Sequence, residues 1–197
     1  MADKEETFEI VNERDEVVGA APRSVAHLEG LLHRAVYCWI FDGAGSLLLQ
    51  RRSAEKKIGA SQWDLSVAEH LTPGETYAQG ALRGVREELG LSALSSALLG
   101  PVISTHRRDL RQGRFHDAEL VRSYALVATP DAAIAVDADE VAEVAWVPLR
   151  GLRARVEAAP EEHTEWLRAE GARLGWFEEM ETLPGLGEAL DAEGFKK

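Results

Sequence analysis

The chain has 197 residues, 45% of them hydrophobic and 28% charged, and a formal net charge of -12. That composition suits one globular domain with a helical appendage and excludes a wholly disordered chain; no apolar run reaches the ~18 residues of a membrane helix. The acidity lies on the flanks: residues 1–16 and 131–193 are strongly acidic, whereas residues 17–130 carry thirteen bases and eleven acids. Such a chain repels nucleic-acid polymers at long range, yet its middle can still take a small anion. The lone Cys38 makes no internal disulfide, and the acidic, polar N-terminus is unlike a secretory signal, so a reducing cytoplasm is the expected location.

In chain order, Phe8-Glu9-Ile10-Val11 and Val17-Val18-Gly19-Ala20 flank a polar turn and predict a hairpin. Residues 34–41 are a β-rich apolar run. Residues 47–52 make a second strand beyond the break at Asp42-Gly43-Ala44-Gly45, and 63–71 a third, closed by Thr72-Pro73-Gly74. A helix is expected from Tyr77 to Leu89. Ala78, Ala81, Leu82, Val85 and Leu89 form one buried stripe, Thr76 with Gln79 fits a capping box, and Gly90 fits the stop. Residues 98–105 and 115–128 read as strands around an arginine-rich turn, Arg107 to Arg114, whose arginines at 107, 108, 111 and 114 either are simply solvated or reach a phosphate. A short strand at 141–147 precedes helices at 149–158 and 161–180. The order predicts an α+β fold, an α/β/α sandwich with a mixed sheet flanked by helices. Residues 1–30 are expected to form a hairpin and lead-in on a core of residues 31–150, with 151–197 a helical extension of the same domain.

The helix is also where chemistry is expected. Gly80, Gly84, Glu87, Glu88 and Leu91 read as the face opposite the buried stripe, and two carboxylates there suit Mg²⁺, which takes oxygen ligands together with substrate phosphates. Taken alone, Glu87 and Glu88 read rather as a solvated pair near a helix end. The spacing of Glu75, Arg83, Val85, Glu87, Glu88, Gly90 and Leu91 resembles the Nudix box, without gaps. Two positions depart from that box. Its opening glycine is Glu69, and the glutamate that usually holds the catalytic metal is Gly84. Glycine at 80 and 84 reads either as room for a substrate or displaced metal, or as drift after loss of activity.

A longer stretch, His33 to Leu91, resembles the isopentenyl-diphosphate isomerase branch of the Nudix superfamily. The resemblance rests on His33, Leu-Leu-Gln-Arg-Arg at 48–52, Lys56-Lys57, Trp63 and Ser66-Val67-Ala68-Glu69-His70. It implies a divalent metal held by three histidines and two acids: His33 and His70 in register, His27 with one residue deleted, and Asp117 and Glu119 alternating on a strand. Such a donor set suits Mn²⁺, Zn²⁺ or Fe²⁺ better than Mg²⁺. The resemblance also implies that Arg52 and Lys56 grip a diphosphate, with Arg51 and Lys57 beside them or facing solvent. The isomerase's catalytic cysteine falls on Ala68, and its tryptophan near Glu161 in a looser alignment.

Three functions follow as expectations. The first is a diphosphate hydrolase using Mg²⁺ or Mn²⁺, with Glu87 and Glu88 on the metal, Glu119 or Glu87 orienting water, and Arg51, Arg52 and Lys56 on the substrate. The second is a prenyl-diphosphate isomerase, weakened by Ala68. The third is a non-catalytic binding module, motivated by Gly84. The expected partner is a small diphosphate, with no nucleic-acid polymer and no membrane. The C-terminal helices, with Trp166, Trp176 and Phe177, read as a cap over the site or as a homodimer contact.

Overall fold

The computed structural model describes residues 5–42, 45–91, 99–128 and 132–177. Its centre is β3 (His33–Phe41), a nine-residue strand whose alternate side chains enter two different cores. Strand β8 (Phe115–Val127) runs parallel beside it, from His33 opposite Glu119 to Phe41 opposite Val127. On its other side lies the antiparallel β6 (Val67–His70). The expected hairpin forms from β1 (Thr7–Val11) and β2 (Val17–Pro22), and β1 joins β3 where Ile10 meets His33. Strand β4 (Ser46–Arg52) pairs with β5 (Trp63–Asp64) and with β9 (Val141–Pro148), and β7 (Leu99–Gln112) pairs with β8.

Side chains alternate across a strand, so β3 sends Ala35, Tyr37, Trp39 and Phe41 one way and Val36, Cys38 and Ile40 the other. The first set packs with Leu152, Val156 and Leu167, from α3 (Leu152–Ala158) and α4 (Glu165–Arg173). The second packs on Ala81, Val85 and Leu89 of α2 (Tyr77–Leu89). This is the expected α+β sandwich. Burying each large apolar side chain contributes about 1.5–3 kcal/mol. Helix α2 keeps its expected bounds, with the Thr76–Gln79 capping box formed and Gly90 in a left-handed cap at φ 67°. Cys38 is buried with its thiol against the Ala81 carbonyl, where burial pushes its pKa up, so it packs as a small hydrophobe.

Several expectations need correction. The strand expected at 63–71 is two strands, β5 and β6, pairing with different neighbours and separated at Leu65-Ser66. The arginine-rich turn is mostly strand: pairing runs unbroken from Thr105–Arg122 to Gln112–Phe115, leaving only Gly113-Arg114 to turn. Residues 161–180 do not form one helix. Helix α4 ends at Arg173, a short 3-10 turn follows at Gly175–Phe177, and residues 178–197 lie outside the described residues. A seven-residue helix, α1 (Arg23–Glu29), was not expected. It ends at Gly30, whose φ of 66° and close approach to the His116 ring both demand glycine.

Candidate active site

Five side chains from four elements converge on one point. His27 comes from α1, His33 opens β3, His70 closes β6, and Asp117 and Glu119 share a face of β8. Nε2 of His27 and Nε2 of His33 lie 3.5 and 3.3 Å from Asp117 Oδ1, and His70 Nε2 lies 3.0 Å from Glu119 Oε1. Nδ1 of His33 is 2.8 Å from the Leu31 carbonyl. A carbonyl can only accept, so Nδ1 carries the proton and Nε2 is turned toward Asp117. Phe8, from the hairpin, stacks on the His33 ring at 4.6 Å and stands 4.6 Å from His70.

The donor chemistry fits a divalent cation. Nε2 of His27, His33 and His70 and Oδ1 of Asp117 are buried without a hydrogen-bond partner, and donor atoms of these four residues lie within 4.8 Å of one another. Buried polar atoms are normally satisfied, and imidazole nitrogen with carboxylate oxygen suits Mn²⁺ or Zn²⁺. Burial pushes His27 down to about 4, so its imidazole is neutral near pH 7, as a metal ligand must be. Burial also disfavours charge on His33, but the adjacent Asp117 and Glu119 carboxylates outweigh it and raise the pKa. Asp117 and Glu119 are buried too, yet Arg108 and the imidazoles hold both below the usual carboxylate range.

Of the two helix carboxylates, the fold puts only Glu88 inside. It is 7% exposed and accepts a hydrogen bond from Gln50 Nε2 at 2.8 Å. Glu87 lies about 100° further round α2, its side chain 53% exposed and paired with Arg83 and Arg86. Adjacent helix residues do not share a face, so the expected side-by-side pair does not form and Glu87 reaches only the cleft rim. Burial, then the charge of Glu69, pushes Glu88 up to about 8. A carboxyl raised on folding contributes stability that is present below its unfolded value of about 4.5 and lost as pH rises through about 8. In chelator, the Tm of the wild type should therefore fall relative to Glu88→Gln between about pH 5 and about pH 8. Parallel pH profiles of thermal unfolding would contradict this.

Gly84 is not on an open face. A Cβ there would lie 2.8 Å from Val67 Cγ1 and 3.2 Å from Glu69 Cβ, and one at Gly80 would lie 3.3 Å from Leu71. These glycines let α2 press on β6 and on Leu71, so the room expected there for a substrate or displaced metal is absent. Gly84→Ala should destabilise the fold by about 1–3 kcal/mol through overpacking, despite alanine's better helix propensity. Denaturant unfolding reads this directly, and a stabilised variant would show that the contact yields.

A cleft of about 1260 Å³ joins Glu88 to the histidine cluster. Arg52 lines it, donating to the Ile58 carbonyl at 3.2 Å and to Asp64 at 3.1 Å, and Lys56 lines it beside its ion-pair partner Glu140. Arg51 does not. Neighbours on a strand point oppositely, and its half-exposed side chain bonds the Ser61 carbonyl and Glu143 outside the cleft. Lys57 and Arg114 stand exposed at the mouth. Arg107 points away, to Glu13 and Asp109. Ala68 lines the cleft opposite its register partner Tyr37, whose hydroxyl donates to Glu119 Oε2 at 3.3 Å.

Two participants went unassigned in the sequence, Phe8 and Tyr37, and Arg108 was expected only in a turn that reaches a phosphate or is solvated. Arg108 donates from Nη1 to Asp117 Oδ2 at 3.0 Å and to Glu119 Oε2. Its inward direction was legible in the alternation of His106, Arg108 and Leu110 along β7. Trp166, not a residue near Glu161, is the tryptophan at the cleft. Arg52 and Arg108 stand 5.2 and 5.3 Å from its ring. Asp64 holds α4 there by accepting from Thr164 Oγ1 at 2.9 Å, and Thr164 caps the helix. Trp166 and Trp176 are both buried in the core, and Trp166 lines the cleft; the side chain of Phe177 lies outside the described residues.

An α+β sandwich with orphaned imidazoles and a buried helix carboxylate on one cleft is of a class suited to divalent cations and phosphates. The NUDIX domain model matches residues 31–169, and the chain belongs to that family. It is 33% identical over 160 residues to isopentenyl-diphosphate Delta-isomerase 1 of Aromatoleum aromaticum, covering 81% of this chain and 87% of that one. It is 40% identical over 94 residues to the uncharacterized Nudix hydrolase SCO1686 of Streptomyces coelicolor, covering 48% and 52% of the two chains. Among solved structures, DR0079 from Deinococcus radiodurans superposes with a TM-score of 0.68 at 27% identity, over 86% of this chain and 99% of that one. No helix among the described residues is long and apolar enough to cross a membrane.

Proposed function

We propose that this chain is a metal-dependent hydrolase that cleaves a diphosphate linkage in a small nucleoside-, sugar- or prenyl-diphosphate type of substrate. The observation that carries this reading is the cleft's inventory. It holds Arg52 and Lys56 for phosphate oxygens, Glu88 and the histidine–carboxylate cluster for cations, and only a methyl group at Ala68. A bound Mg²⁺ or Mn²⁺ supplies Lewis-acid polarisation of the phosphoryl oxygens and neutralises developing charge. Arg52, fixed by Asp64 and the Ile58 carbonyl, presents its remaining donors to the diphosphate, and Lys56 adds a point charge. Glu88 sits where burial strengthens its electrostatic effect on groups in the cleft.

The second reading is isomerisation of a prenyl diphosphate, favoured by the name of the Aromatoleum relative. Moving a double bond needs two placed proton carriers. Ala68 transfers no proton, and Glu119 Oε2 is already held by Arg108 and Tyr37. Incubating the protein with a panel of diphosphates, with Mg²⁺ and with Mn²⁺, and identifying the products separates the readings. Phosphate-bearing fragments are expected. An unchanged mass with a moved double bond would put the isomerase first, and ligand binding without turnover of any diphosphate would leave the binding module.

A further inference from the structure

We propose that Arg108 is a specificity-determining residue. With Trp166 it forms an oxyanion subsite beside the histidine–carboxylate cluster, and it selects diphosphates whose organic moiety carries a second anionic group. The inference rests on the diphosphate reading above and names the substrate class.

The two carboxylates divide their oxygens. Asp117 turns Oδ1 to His27 and His33 and Oδ2 to Arg108. Glu119 turns Oε1 to His70 and Oε2 to Arg108 and Tyr37. Arg108 therefore leaves the cluster-facing oxygens free, and it spends only Nη1 on both acids. Nε and Nη2 have no hydrogen-bond partner among the described residues, although the side chain is only 13% exposed and lines the cleft. A guanidinium carries five N–H donors in a planar fork, so these two nitrogens are open to the cleft and available to a ligand. Stacking beside the Trp166 ring fixes the plane of that fork. Arg52 stands by the same indole, and its Nη2 has no hydrogen-bond partner among the described residues, so two guanidinium forks share one ring.

Charge points the same way. With neutral imidazoles, Asp117, Glu119 and Arg108 together carry one negative charge, and a divalent cation turns that into one positive charge. A neutral residue at position 108 would leave the loaded cluster uncharged. Arg108 thus makes this end of the cleft attract an oxyanion and disfavour a hydrocarbon tail, whose burial beside a half-used guanidinium would leave donors unpaired.

Equilibrium binding tests this separately from turnover. Calorimetric titration would compare 5-phosphoribosyl 1-diphosphate, which has a second phosphate, with dimethylallyl diphosphate, whose tail is neutral. Each titration is run with Mn²⁺ and in chelator, with ligand integrity checked afterwards by mass spectrometry. The readout is the ratio of the two affinities. Wild type with Mn²⁺ should favour the phosphoribosyl ligand by at least ~10-fold, shrinking in chelator as the cluster regains its negative charge. Arg108→Met should collapse the ratio to near one. Arg108→Lys, which keeps the charge on the two acids but loses the fork, should fall between them and serves alone if the methionine variant does not fold. Equal loss of both ligands in the variants would make Arg108 purely structural, and a wild-type preference for the neutral tail would overturn the subsite. If neither ligand binds, the diphosphate reading falls as well. If both bind with the expected ratio but neither is hydrolysed, only the hydrolase reading falls.

Discussion

Glu88→Gln should lower turnover at least ~100-fold, equivalent to about 2.7 kcal/mol of transition-state stabilisation. Glutamine has the shape of glutamate, and Gln50 Nε2 can donate to its amide oxygen as it now does to Glu88 Oε2. The variant should fold, and what it loses is the carboxylate that a cation in the cleft would favour over the protonated form that burial holds. Glu87→Gln provides the contrast. Glu87 is half exposed and tied to Arg83 and Arg86, and surface ion pairs of this kind contribute about 0–1 kcal/mol, so turnover should change less than ~5-fold. Steady-state rates on whichever diphosphate the panel identifies would check both. Equal losses in the two variants would mean that the carboxylates act as the pair the sequence suggested, whatever their burial. Full activity in Glu88→Gln would sink the mechanism.

Much of this arrangement was legible because local physics decides it. Helix α2 is written in its own sequence, through its period, a capping box and a glycine stop, but packing on β6 decided its faces: Gly80, Gly84 and Glu88 are buried, whereas Ala78 and Leu82 of the expected stripe are only half-buried. Asp117 and Glu119 could be put on one face because a strand alternates strictly. His33 and His70 could be grouped only through the resemblance, since they come together by register across β3, which no local pattern encodes. His27 needed more: it arrives on α1, whose seven residues are too short for a visible period. The misplaced arginines show the opposite failure. Charged residues in succession look like a solvated turn, yet alternate members of β7 face Glu119 and the core, and full pairing with β8 holds them there. Gly84 was legible as an anomaly but not as a contact, because the atoms it makes room for belong to β6.

Metal loading should change stability more than any single substitution. Four buried donors without partners destabilise the metal-free fold, and a cation bound only by the folded state stabilises it by mass action. At a free concentration of ~1,000 times Kd that amounts to about 4 kcal/mol. For a chain of this size each kcal/mol moves Tm by about 2–4 °C, so Mn²⁺ should raise Tm by roughly 8–16 °C over chelator. Replacing both His33 and His70 by glutamine removes two of three nitrogens while Asp117, Glu119 and Arg108 keep their ion pairs. The shift should then fall below ~3 °C at the same Mn²⁺ concentration. Glu88→Gln should retain most of it, because Glu88 is not one of the converging donors and approaches the cleft from α2. Differential scanning calorimetry on the three proteins therefore separates the histidine cluster from the helix carboxylate. A shift that survives in the double variant but vanishes in Glu88→Gln would move the principal cation to the helix and leave the imidazoles as packing around Phe8.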